Sequence, residues 1–423
     1  MVRSKHSAFE SMTDTAKPQG LAAYITVTAA YWAFMLTDGA LRMLVLLHFH
    51  TLGFSPVQLA YLFLLYEVMG IVTNLSAGWL AARFGLTSTL YAGLGIQIVA
   101  LVALAQLDPA WSLTASVIFV MCVQGLSGIA KDLSKMSAKS AVKLLAPEGE
   151  GTLFKWVAIL TGSKNAVKGV GFFLGAVLLG VWGFTTSIWV MAAVLTVILI
   201  AVIAFMPSGL PQGNKSAKFS HVFSKDQNVN RLSLARMFLF GARDVWFVVG
   251  IPVYFYAVLS DGTEEGNRAA FFMIGSFMAV WIILYGFVQG LAPKLLKAAS
   301  STTPQIVHRA VVWVATLTLI PLVLAAAVWL DVPYLTPIVV AGLLVFGFVF
   351  AVNSSVHSYL ILAFTTGERV TMDVGFYYMS NAAGRLLGTL LSGLSYQAGG
   401  LPLCLFTAAV MAGLSTLAAN RLR

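Results

Sequence analysis

Twelve stretches of this chain are each long and apolar enough to cross a lipid bilayer. They run roughly over residues 22–48, 56–81, 88–106, 111–140, 152–181, 184–206, 231–257, 269–291, 309–330, 335–362, 370–397 and 401–420. A hydrocarbon core about 30 Å thick takes about 20 residues of helix. Of 423 residues, 59% are hydrophobic and only 10% are charged, against about 25% charge in an ordinary soluble domain. Such a chain cannot maintain a surface in water. An all-α membrane protein of twelve transmembrane helices is expected, and a soluble enzyme, a disordered regulator or a nucleic-acid binder is excluded. The formal net charge of +10 therefore needs an origin other than nucleic acid.

Charge placement supplies one. With the N-terminus inside, sixteen of the 26 basic residues fall in cytoplasmic segments or helix ends, among them Arg3, Lys5, Arg83, Lys139, Lys143, Lys215, Arg309 and Arg421. The other side receives Arg268 alone, beside Asp108, Asp261, Glu264, Glu265 and Asp331. By the positive-inside rule both termini and the polar stretch 207–230 are expected on the cytoplasmic side, and a cell inner (plasma) membrane is the expected location. The expected organisation is a tail over 1–20, a six-helix bundle over 21–206, a linker over 207–230 and a second six-helix bundle over 231–423. The halves also read as a weak repeat: Thr37-Asp38-Gly39 sits like Arg243-Asp244-Val245, and the block starting at Gly70 aligns with the one starting at Gly286. Two six-span halves joined by a cytoplasmic loop resemble the major facilitator arrangement. GWLAARFGLTSTL (78–90) resembles that superfamily's loop between spans 2 and 3, although Ala82 replaces its acid.

The informative residues are the charges inside spans. Nine are basic (Arg42, Lys131, Lys135, Lys155, Lys164, Lys168, Arg236, Arg243 and Arg385) and five are acidic (Asp38, Glu67, Asp132, Asp244 and Asp373). A cation at the centre of a membrane helix costs ~2.5–3.5 kcal/mol on insertion scales, so such groups line cavities or ion pathways. Lys131, Lys135 and Lys139 recur every four residues, with Gln124 a heptad earlier, and so form one stripe. Lys164 and Lys168 share a face, and no acid on their own span offers itself as a partner. Arg236 and Arg243 lie seven apart. Asp132 has Lys135 within reach on its own helix, and Asp38 and Asp244 are candidate partners for Arg42, Arg243 and Arg385. Tyr31, Asn165, Asn353 and Asn381 add hydrogen-bonding capacity. Glu67, without a basic partner on its helix, ranks first as a proton site, and Asp38 second. Gly171 and Gly175 form a small-xxx-small seam for close helix packing. A surplus of fixed cations suits a small, multiply anionic solute. Cys122 and Cys404 lie far apart, so no metal or disulfide framework is expected. Without GxxxxGK[ST] there is no ATP site, so an ion gradient or anion exchange must supply the energy. Neither HExxH nor GxSxG is present to suggest a membrane enzyme.

Four blocks carry a closer resemblance: YWAFMLTDGALRMLVLLHFH (31–50), GIAKDLSKMSAKSAVKLL (128–145), GTLFKWVAILTGSKNAVKGVGFFLG (151–175) and LFGARDVWFVVGIPVY (239–254). They are similar to ArsJ-type organoarsenical efflux permeases. That resemblance implies export of 1-arseno-3-phosphoglycerate, the ester formed when glyceraldehyde-3-phosphate dehydrogenase accepts arsenate, and hence arsenate resistance. It also implies a functional link to that dehydrogenase and no cofactor, and a monomer is expected. The residues it carries over are Asp38, Arg42, Lys131, Asp132, Lys135, Lys139, Lys164, Asn165, Lys168, Arg243 and Asp244. A pentavalent, oxygen-bound arsenic needs no soft sulfur ligands, in keeping with the lack of a cysteine cluster. A carrier of another organophosphate anion needs the same cations and is the alternative.

The charge asymmetry makes a direct prediction. In a background lacking Cys122 and Cys404, Lys215→Cys is labelled only after the membrane is breached, and Thr263→Cys is labelled from outside in intact cells. Labelling of position 215 from outside would refute the orientation.

Overall fold

The computed structural model describes residues 16–145, 152–206, 224, 226–295, 302–365 and 370–422. Among them every regular element is helical. In chain order these are α1 (Ala16–Thr51), α2 (Pro56–Leu104), α3 (Leu113–Leu145), α4 (Thr152–Phe205), α5 (Gln227–Val245), α6 (Ile251–Leu259), α7 (Glu264–Leu295), α8 (Thr303–Trp329), α9 (Leu335–Phe364) and α10 (Val370–Ala419). A π-helical turn, Trp246–Gly250, joins α5 to α6. Ten helices are long and apolar enough to cross a membrane among the described residues. Two of them, Ser163–Phe205 and Asp373–Ala419, run for 43 and 47 residues, about twice one crossing. Both are broken by glycines with non-helical torsions, at Gly183 and at Gly399–Gly400. The twelve sequence segments become ten spans because these breaks leave no loop between legs; in this count α2 contributes Pro56–Ser76 and Arg83–Leu104, and α5, the π turn and α6 together contribute Gln227–Leu259.

The glycine breaks are local chemistry. Gly85 in α2 and Gly183 in α4 both sit at φ 73°, a left-handed value that costs a side-chain-bearing residue ~1–2 kcal/mol. Helix starts are capped in the usual way. Ser55 and Gln58 exchange side-chain-to-backbone bonds of 3.4 and 2.9 Å ahead of Pro56, and Asp226 accepts from the Val229 N–H at 2.9 Å. Two sequence boundaries move accordingly. Residues 227–230, assigned to the linker, are the first turn of α5, and residues 16–20, assigned to the tail, are the first turn of α1. Residues 1–15, 207–223 and 225 lie outside the described part.

The π turn lies just before Pro252, which lacks the N–H that would continue the α-helical ladder. The N–H groups of Val249 and Gly250 donate instead to Ser392 Oγ on α10, at 3.1 and 3.2 Å.

Each bundle is locked by a glycine seam. A Cβ on Gly39 would lie 2.6 Å from Lys168 O, and one on Gly171 2.5 Å from Leu36 O; one on Gly175 would collide with Ala40 O. The expected Gly171–Gly175 seam is thus the α1–α4 contact. In the second bundle, a Cβ on Gly388 would lie 2.7 Å from Gly241 O and one on Gly384 would collide with Met237 O, so these glycines let α5 and α10 approach closely. The repeat shows elsewhere as well: Gly125 accommodates Leu65, and Gly347 accommodates Trp281. Between bundles, a Cβ on Gly275 would lie 2.6 Å from Ala176 Cβ on one side, and one on Gly393 would lie 2.6 Å from Ala60 Cβ on the other. Near the α1–α2 turn the bundles also touch through Val57 N–H to Gln397 (3.4 Å) and His50 edge-on to Tyr256 (4.8 Å).

Large apolar side chains cover the outside, including Val197, Ile200, Phe205, Phe287, Val323 and Leu417. In water this would be one aggregating patch; in hydrocarbon it costs nothing.

The seams predict opposite signs for two glycine substitutions. Gly175→Val overpacks a backbone contact and should cost about 1–3 kcal/mol or more, seen as loss of the monodisperse detergent-solubilised peak. Gly95, whose Cβ would meet nothing within 4 Å, should accept alanine with a gain of up to about 1 kcal/mol from helix propensity.

Candidate functional site

The in-span charges converge. A cavity of about 230 Å³ lies between the bundles, and its walls carry Tyr31, Arg42, Lys131, Asp132, Lys135, Lys164, Asn165, Lys168, Arg243, Asp244, Asn381 and Arg385. Those are twelve of the sixteen candidate residues. Asp38 and Glu67 stand directly behind the wall as ion partners. Gln124 and Asn353 do not line it. Gln124 shares the lysine stripe, but it is seven residues above Lys131, about 10 Å along the axis. Asn353 is fully buried next to Ser354, turned about 100° away from it. The side chains of Lys139 and Lys155 lie outside the described part.

Four buried carboxylates hold the cations, and each is clamped. Asp132 takes Lys135 at 2.7 Å and Lys131 at 3.9 Å, with Thr73 Oγ1 donating at 2.5 Å and Asn74 Nδ2 at 3.3 Å. Asp38 takes Lys168 at 2.8 Å on one oxygen and the Tyr66 hydroxyl at 2.6 Å on the other. Asp244 takes Arg243 at 2.5 Å and Arg385 at 3.5 Å. Glu67 takes Arg385 at 2.6 Å and Arg42 at 3.3 Å. Arg385, on α10, therefore joins a carboxylate of its own bundle to one of the other. Aromatic faces complete the support: Lys131 lies 4.2 Å over Tyr66, and Arg243 lies 4.8 Å from Phe240.

Three sequence expectations change. Glu67 was the unpartnered carboxylate, but it is gripped by two arginines from α1 and α10, so the reason for ranking it first as a proton site disappears. Lys168 does have an acid to strand, because Asp38 reaches it from α1. Arg42 pairs with Glu67 and not with Asp38. The local Asp132–Lys135 pair and the Arg243–Asp244 and Arg385–Asp244 pairs form as the sequence allowed.

Sequence reasoning assigned no site role to Asn74, Tyr285, Gln289, Ser358 and Tyr378, all in the wall. Single polar residues in apolar spans carry little signal. Arg236 is different. It was visible as an in-span cation seven residues before Arg243, yet it was left out of the site. It lines the cavity, and its Nε donates to Asn381 Oδ1 at 3.0 Å while Nη1 donates to Ser354 O and Oγ at 2.9 and 3.0 Å. Asn165 donates to Gln289 at 2.9 Å across the bundles.

Counted over the cavity and its immediate backing, eight cations face four carboxylates, a formal surplus of four positive charges. Such a chamber can hold polyanions and repels cations.

No protein-family model matches the sequence, and no curated protein does. Solved structures do match. Two are a POT family transporter in complex with a thioalcohol conjugated peptide and a POT family transporter in complex with 5-aminolevulinic acid. Each gives a TM-score of 0.68 at 13% sequence identity, over 93% of this chain and 94% of the other. At that identity the likeness speaks to architecture: the chain has the all-α, two-bundle major facilitator fold.

Proposed function

We propose that this protein is a membrane transporter that carries small, multiply anionic organic solutes through the central cavity. The surplus of four positive charges between the two bundles supports this reading most directly. Neutral sugars and hydrophobic drugs would not need it, and a cation would be repelled. The fold shared with POT family transporters agrees with a carrier. Within this class, the blocks on α1, α3, α4 and α5 that resemble organoarsenical efflux permeases favour 1-arseno-3-phosphoglycerate, supplied by glyceraldehyde-3-phosphate dehydrogenase. Its export from a plasma membrane with cytoplasmic termini would confer arsenate resistance. Outward movement of a polyanion is helped by an inside-negative potential, at ~2.3 kcal/mol per charge per 100 mV.

Uptake into everted vesicles tests this. Vesicles loaded outside with the dehydrogenase, its substrates and arsenate should accumulate arsenic, and vesicles offered phosphorylated three-carbon acids show whether the preference extends to phosphate esters. Accumulation of neither would refute the anion-carrier reading. Lys164→Gln, which removes one cavity charge, should lower uptake per folded molecule at least about tenfold, the worth of one charge-assisted hydrogen bond.

The Asp38–Lys168 pair gives a separate prediction. Lys168→Ala strands a buried carboxylate and should cost about 3–5 kcal/mol, read as lost folded protein. The double variant Asp38→Asn/Lys168→Gln should restore folded protein without restoring uptake.

A further inference from the structure

The positive surplus is unevenly placed, and its placement bears on the shape of the solute. Asp38 cancels Lys168. Asp132 serves both Lys131 and Lys135, so one charge on α3 is left over. Lys131 is the loosely held member, 3.9 Å from its acid. Glu67 and Asp244 together serve Arg42, Arg243 and Arg385, again one charge short of balance.

Arg236 stands apart from all of these. It is only 5% exposed, yet its bonds go to an amide oxygen, a backbone carbonyl and a hydroxyl, all neutral. Among the described residues it has no carboxylate partner, and its Nη2 has no acceptor. Its guanidinium lies 4.1 Å over Phe240 and 5.0 Å from Tyr377, so the fork is fixed in place. A guanidinium does not discharge by losing its proton. A buried cation with only neutral partners is costly to keep, and an arriving anion relieves that cost.

We infer that Arg236 is a second anion anchor, on the second bundle. The solute then carries an anionic group at each end, one taken by Lys131 and Lys135 on α3 and the other by Arg236 on α5. This rests on the anion-carrier reading above. Arg236 sets specificity: it distinguishes a two-ended anion from a one-ended one of the same size, while the lysines hold either.

The bland alternative is that Arg236 only ties α5 to α9 and α10 through Ser354 and Asn381. The two readings differ in sign. A structural tie makes R236Q less stable without solute. An uncompensated anchor makes solute-free R236Q as stable as the wild type or more so.

The test uses the purified full-length protein in detergent, with 3-phosphoglycerate (phosphate and carboxylate), glycerol 3-phosphate (phosphate alone) and inorganic phosphate as probes. Dissociation constants and thermal unfolding midpoints are measured. Wild type should bind 3-phosphoglycerate about 10- to 100-fold more tightly than glycerol 3-phosphate, the range of one charge-assisted hydrogen bond. In R236Q that ratio should fall to about one, with glycerol 3-phosphate affinity unchanged and the solute-free midpoint equal or raised. R236K keeps the charge without the fork and should keep part of the ratio; if R236Q does not accumulate, a reduced ratio in R236K supports the anchor. A wild-type ratio near one, an unchanged ratio in R236Q or R236K, or a lowered midpoint with the ratio intact overturns the inference. Wild type that binds none of the three probes overturns the anion-carrier reading itself.

Discussion

A cation inside a membrane helix must be answered by an anion, by water or by both, and this structure is arranged around that need. The four buried carboxylates at the cavity are each stretched across more than one donor. Asp132 holds two lysines and two neutral donors, Glu67 and Asp244 hold two arginines each, and Asp38 holds a lysine and a tyrosine hydroxyl. Removing one partner leaves an uncompensated charge in low dielectric, where breaking a buried pair costs about 3–5 kcal/mol. Around the cavity the cations outnumber these carboxylates, and the charged surfaces face a cavity and not a packed core.

The apolar scaffold places these charges. Lys168 stands three residues before Gly171 in the α1–α4 seam, and Arg385 three residues before Gly388 in the α5–α10 seam. Asp38 directly precedes a seam glycine, and Asp244 follows Gly241 by three residues. Backbone contact at the seams leaves little freedom for the helix pairs to slide, so two acid–base pairs, Asp38–Lys168 and Asp244–Arg385, arise at corresponding places in the two bundles. The π turn begins two residues after Asp244, with its freed amides satisfied by Ser392. Bulges of this kind are frequent beside functional groups.

Much of this was readable in the chain. Apolar length gave the crossings, and charge inside those lengths gave most of the cavity wall. What failed was partner choice. Glu67 has no base within reach on its own helix, and its arginines come from 25 residues before and 318 residues after it. Lys168 and Asp38 are 130 residues apart. Helical periodicity fixes which face a residue occupies, but not its height against a neighbouring helix, and so Gln124 fell outside the cavity although it shares the lysine stripe. Arg236 was legible as a charge but not as a site, because its neutral partners Ser354 and Asn381 lie 118 and 145 residues away.

The break at Gly183 has a bearing on how the protein enters the bilayer. The first leg of α4 carries Lys155, Lys164 and Lys168, whereas residues 184–205 carry no charge at all. Each mid-membrane lysine costs ~2.5–3.5 kcal/mol to insert. One positive-φ glycine joins the legs without a polar loop, so the apolar leg directly continues the lysine-bearing leg. The apolar surface of the second leg is therefore placed to offset the insertion cost of the lysines on the first.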